Sequence, residues 1–135
     1  FRQAFNAMVR TLGPINARRI DAAFARLDIM DVVSVPIALA RDVFAKMGKH
    51  APPLALPGAD LGRDIEPIGQ LEWRNYWVRV GEREGAMRID AALRSMENVL
   101  EKSKKKIRLR ALHLEKIRLG VPVTPVEDDS SSAGA

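Results

Sequence analysis

Apolar positions recur at helical spacing along most of this chain and lose that rhythm in one stretch near its middle. Phe1, Phe5, Met8 and Leu12 fall four, three and four residues apart, one face of a short helix. The "LGP" that follows stops it, because Gly13 can take a left-handed cap position and Pro14 cannot continue the ladder. Asn16 is then a candidate N-cap, with Ile15 and Ile20 at the two positions of a hydrophobic staple and Ile20, Phe24 and Leu27 as the buried stripe. A third stripe, Ile37, Ala40, Phe44 and Met47, follows a cap at Ser34 and Pro36 in the first turn, and Gly48 closes it. Residues 1–48 therefore predict a segment of three short helices.

The rhythm fails over residues 49–70, "KHAPPLALPGADLGRDIEPIGQ", where prolines and glycines break every candidate period. The stretch predicts an irregular connector. Its Leu54, Leu56, Leu61, Ile65 and Ile68 are too many branched aliphatics for a solvated linker, so it is expected to lie across a partner. Residues 71–120 resume with "LEWRNYWVRV", in which Trp73, Tyr76, Trp77 and Val80 share one side of an expected helix, the alternation from Trp77 to Val80 suiting a strand as the alternative. These aromatics read first as core anchors; a base-stacking platform is the sharper alternative.

From Ala86 one long helix is predicted, ended by Gly120 and Pro122. Ile89, Leu93, Met96, Leu100, Ile107, Ala111 and Leu114 fall in a band about 60° wide at 100° per residue. From Met87 to Leu119 such a rod would reach about 50 Å, more than three short helices can cover. Residues 121–135, "VPVTPVEDDSSSAGA", read as an extended or disordered tail. The fold class expected is all-α: three short N-terminal helices, a Pro/Gly-rich connector and one long C-terminal helix, one domain overall. "RIDAA" occurs at Arg19–Ala23 and again at Arg88–Ala92 without a surrounding repeat unit, and reads as coincidence.

Composition changes this picture little, and charge changes it more. The chain has 135 residues, no cysteine and a net charge of +5. Without cysteine there are no disulfides, thiolate metal ligands or thiol nucleophiles. The charge is uneven: +4 over residues 1–49, −2 over 50–100, +6 over 101–119 and −3 in the tail. Basic character thus belongs to segments, which favours an anionic neighbour at those segments. On a wheel, Lys102, Lys106 and Arg110 flank the apolar band on one side, and Lys104 and Arg108 on the other. With Lys105 these six make the candidate site for phosphate or an acidic partner. Leu109, Leu112 and Leu119 form a second apolar patch, a candidate protein interface. The bland reading is a solvated helix whose cations answer the helix dipole and whose Glu101 pairs with Lys105.

Catalytic and cofactor chemistry finds no foothold. His50 and His113 have no metal-ligand spacing, Gly58 and Gly62 make no phosphate-cradling loop, and the acids Asp60, Asp64, Glu66, Glu82 and Glu84 read as solubilising loop residues. Ser130–Ser132 stand without a base, so no nucleophile, base and orienter can be assembled. No apolar run approaches the ~20 residues that span a bilayer. An arginine-containing, acid-poor start with Arg2, Arg10, Arg18 and Arg19 ahead of Asp21 resembles an organelle-targeting segment, and the alternative is a chain that begins partway along its gene product. The expected role is a non-catalytic structural subunit of a large assembly, without metal or cofactor. A ribonucleoprotein such as an organellar ribosome comes first. An accessory subunit of a mitochondrial respiratory or ATP-synthase-type membrane complex is the rival, its cations meeting acidic protein or lipid headgroups. A mitochondrial location goes with either, cytoplasmic being the alternative.

Overall fold

A computed structural model of the chain describes residues 2–56 and 66–120. Six helices carry it: α1 (Arg2–Leu12), α2 (Pro14–Leu27), α3 (Ile37–Met47), α4 (Gln70–Glu84), α5 (Ala86–Lys102) and α6 (Lys104–Arg118). Two short strands, β1 (Ser34–Pro36) and β2 (Pro67–Gly69), pair antiparallel with Val35 opposite Ile68. The expectation of three short helices and one long one is therefore corrected to six helices and a small ribbon.

The long rod is broken at Ser103, whose φ of −107° and ψ of 21° leave the helical basin. Backbone bonding persists around the break, from the Ser103 N–H to the Val99 carbonyl and from the Ile107 N–H to the Ser103 carbonyl, both at 2.9 Å. The apolar band consequently survives in register: Ile89, Leu93, Met96 and Leu100 on α5 and Ile107, Ala111 and Leu114 on α6 are all buried. Like charges at Lys102, Lys105 and Lys106, three and four residues apart, weaken the helix there, and serine is an indifferent helix former.

Local starts also differ from expectation. Gly13, with φ of 90°, precedes α2, which begins at Pro14 rather than after Asn16; the Asn16 amide instead donates back to the Leu12 carbonyl at 3.2 Å. Ile15 is 70% exposed and staples nothing. Helix α3 starts after Pro36, because Ser34–Pro36 is drawn into the ribbon and the Ile37 N–H donates to the Glu66 carbonyl at 2.9 Å. Part of the expected connector is thus β2, and residues 57–65 of it, like the tail 121–135, lie outside the described residues.

One core runs through all six helices. Helix α4 supplies its centre: Trp73, Tyr76 and Trp77 are fully buried, and Phe24 and Phe44 pack on them at ring distances of 5.9–6.4 Å. These rings are core anchors, closed to base stacking. The Trp73 indole donates to the Ile20 carbonyl at 2.9 Å and the Tyr76 hydroxyl to the Leu54 carbonyl at 2.7 Å, which ties the start of the connector down. Burial holds the Tyr76 phenol well above its ordinary pKa. Where α1 crosses α4, a Cβ on Gly81 would collide with the Leu12 side chain, so the close approach requires glycine or a displaced leucine.

Ion pairs join the layers. Arg19 on α2 grips Glu97 of α5 with two bonds of 2.9 Å, and Asp90 with a third. Arg74 on α4, only 8% exposed in its side chain, holds Asp21 of α2 at 2.8 and 3.0 Å. The two "RIDAA" stretches lie on α2 and α5, helices that pack together, and Ile20 and Ile89 are both fully buried. The pairing is not reciprocal, since Arg19 reaches Asp90 while Asp21 goes to Arg74 and Arg88 to Glu84.

Candidate partner-binding face

Helix α6 rests thinly on α5 and α3, burying Ile107, Ala111 and Leu114 and leaving most of its circumference free. The six cations singled out by sequence all lie here or at its hinge, with Lys102 at the end of α5 and Lys104, Lys105, Lys106, Arg108 and Arg110 on α6. They do not form one surface. Arg110 turns to α3 and donates to Asp42 at 3.0 Å, so it is already neutralised within the fold. Lys102, Lys104, Lys105, Lys106 and Arg108 are exposed, and among the described residues none has a carboxylate within 4.0 Å. The expected Glu101–Lys105 pair is absent: Glu101 accepts from Arg26 of α2 at 3.2 Å.

The two flanks of α6 differ. Towards α3, a groove of about 320 Å³ is lined by Leu39, Asp42, Lys46, Lys106, Ile107 and Arg110, so an acid lies among its cations. Towards α2, a groove of about 270 Å³ has Ile29, Leu100 and Ile107 as its floor and Arg26, Lys104 and Arg108 around it. Arg26 and Lys46 were not foreseen, because each is remote in sequence and reaches the site only through packing. Lys46 also places its Nζ 3.4 Å from the Ser103 hydroxyl, at the break between α5 and α6.

Leu109, Leu112 and Leu119 are 67%, 38% and 60% exposed, and Ile117 adds 42%. Leu109 lies on the outward side with Lys105 and Lys116, while Leu112 and Leu119 lean towards the α2 flank. At the far end the Arg118 guanidinium forks onto Glu115 at 2.5 and 3.0 Å and holds that carboxyl below the usual range. Among the described residues there is no group of three or more histidine, aspartate or glutamate side chains that would hold a metal, and no helix is long and apolar enough to cross a membrane.

Compared with protein-family models, curated proteins and solved structures, the chain matches none of them. What the face can do must follow from its chemistry. Five unneutralised cations on about 10 Å of helix offer charge-assisted hydrogen bonds to phosphate or carboxylate oxygens without choosing between them. The neighbouring exposed leucines add apolar area that an anion alone does not cover.

Proposed function

We propose that this protein is a non-catalytic structural subunit of a larger ribonucleoprotein assembly, an organellar ribosome being the kind expected, and that α6 lies against nucleic-acid phosphate. One observation carries the reading. Arg19, Arg74 and Arg94 are spent on carboxylates of the fold, whereas Lys102, Lys104, Lys105, Lys106 and Arg108, five cations within seven residues, have none among the described residues. Concentrated like charge destabilises a helix unless something outside it is anionic. Contacts of this type release counterions and need no base readout.

The test is binding of single-stranded RNA across a salt series. Contact by all five gives a slope of log K against log salt of about −3.5, and contact by Lys102, Lys105 and Lys106 alone about −2. Absence of RNA binding at low ionic strength would end the reading. The exposed Leu109, Ile117 and Leu119 beside the cations favour one rival, an accessory subunit of a mitochondrial membrane complex. Flotation with vesicles containing acidic lipid, and none with neutral ones, would select it.

A further inference from the structure

The α2 flank of α6 has properties that phosphate contact does not use. Beyond the groove at Arg26, Lys104 and Arg108 lies a second opening of about 230 Å³, walled by Leu27, Met30, Val32 and Pro36 on one side and by Ala111, Glu115 and Arg118 of α6 on the other. Ile29 lines both openings, so they adjoin as one furrow along α6. On the helix its wall runs through Lys104, Arg108, Ala111, Glu115 and Arg118, spaced four, three, four and three residues apart. At 1.5 Å per residue the furrow is about 21 Å long, four turns of helix.

The opposite lip is held in place by local bonds. After α2 the Asp28 carboxylate accepts the N–H groups of Val32 at 3.0 Å and Val33 at 2.8 Å. Asp31 and Val33 sit at φ of 55° and 57°, a region that a β-branched residue seldom enters. Val32 and Val33 are 59% and 58% exposed, facing solvent where a chain without a partner would place polar residues. Charge is equally lopsided. Glu101 is tied to Arg26 and Glu115 to Arg118, while Lys104 and Arg108 have no acid among the described residues.

We infer that this furrow is the docking site for an acidic amphipathic helix of a partner protein. An aliphatic floor takes leucine- or isoleucine-sized anchors at i, i+3 or i+4, and i+7, and the unneutralised Lys104 and Arg108 take carboxylates flanking that stripe. Nucleic acid fits the cations but not the floor. It has little aliphatic surface for Ile29 and Val32, and among the described residues no aromatic ring lines the furrow for a base to stack on. The docking site stands apart from the phosphate reading, which keeps Lys102 and Lys105 on the outward side and Lys106 on the α3 flank.

The experiment titrates the isotopically labelled full chain with a synthetic helical peptide carrying leucines at i, i+3 and i+7 and glutamates beside them, followed by amide chemical shifts. Perturbations are expected at Ile29, Val32, Ala111 and Glu115. The double variant Lys104→Glu, Arg108→Glu should weaken the peptide roughly tenfold or more, whereas Lys105→Glu, Lys106→Glu should change it less than about threefold. All four side chains are exposed, and circular dichroism checks that each variant folds. The same peptide with its leucines changed to serine should fail to bind. Equal loss in both double variants, equal binding of the serine peptide, or shifts spread over the outward face would overturn the docking site as mere charge attraction. Displacement of the peptide from Ile29 and Ala111 by single-stranded RNA would also overturn it, making the furrow a phosphate site. RNA that binds but perturbs only the outward lysines leaves both readings standing, and failure to bind RNA removes the phosphate reading alone.

Discussion

Helices α5 and α6 follow one another with a single residue between them, carry the same apolar band and are nearly equal in length, yet they live in different environments. Helix α5 packs against α2, α3 and α4, and its acids Asp90 and Glu97 are held by Arg19. Helix α6 touches α5 and α3 over a narrow strip, and most of its cations are exposed with no carboxylate partner among the described residues. The contrast separates two uses of an amphipathic helix. One stripe of buried residues holds a helix in place, but a helix belongs wholly to the fold only when its flanks are matched as well. In α5 the flanks are matched by the same chain. In α6 one flank is matched, by Asp42, while Lys104 and Arg108 on the other have no carboxylate among the described residues.

Truncating a leucine beside the buried stripe of α6 and one within that of α5 should give the largest difference. Leu93→Ala on α5, fully buried, is expected to cost about 3 kcal/mol in urea unfolding, while Leu112→Ala on α6 should cost less than about 0.5 kcal/mol. Similar costs would mean that the fold holds α6 no less firmly than α5. Next in size is the pair between α4 and α2: Arg74→Ala leaves Asp21 without its fork and should cost about 2–3 kcal/mol, below the figure for a fully buried pair because Asp21 is partly exposed.

The Arg19 staple comes third. Arg19→Ala should cost about 1 kcal/mol, since both its carboxylate partners are partly solvated. It should also change the pH profile. The Asp90 carboxyl is held below its ordinary value of 3.8, first by the hydrogen bond from Arg19. A carboxyl depressed in the folded state stabilises the fold above its ordinary pKa, and that stabilisation is lost as pH falls through the depressed value. Melting temperature should therefore drop on acidification below about pH 4 in the parent and drop less in Arg19→Ala. Glu115 is depressed too, first by the hydrogen bond from Arg118 on its own solvated helix face, so Glu115→Gln should flatten the acid limb of the profile in the same direction as Arg19→Ala but by less.

The smallest effect on stability is the most telling for function. Lys104→Glu, Lys105→Glu and Lys106→Glu together should shift the unfolding free energy by no more than about 0.5 kcal/mol, because no internal carboxylate among the described residues depends on them. A clear loss of stability would show that these lysines serve the fold, and the partner-binding face would lose its basis.

Much of the candidate face could be read from residues alone. The spacing of Ile107, Ala111 and Leu114 identified the buried side of α6, and the positions of Lys106 and Arg110 against Lys104 and Arg108 placed them on opposite flanks, as they lie. The break at Ser103 was not readable: no proline or glycine marks it, and the apolar period continues through it undisturbed. The ribbon was hidden for a related reason. Ser34–Pro36 looks like a helix start until Pro67–Gly69, some thirty residues later, offers backbone groups for it to pair with.

Local periodicity and charge thus assign helical faces, because a helix puts residues three and four apart on one side whatever surrounds it. They cannot assign neighbours. Asp42 beside Arg110, Glu101 turned to Arg26 and Val32 across an opening from Ala111 come from packing between residues far apart in the chain, and it is that packing that leaves one flank of α6 satisfied and the other open.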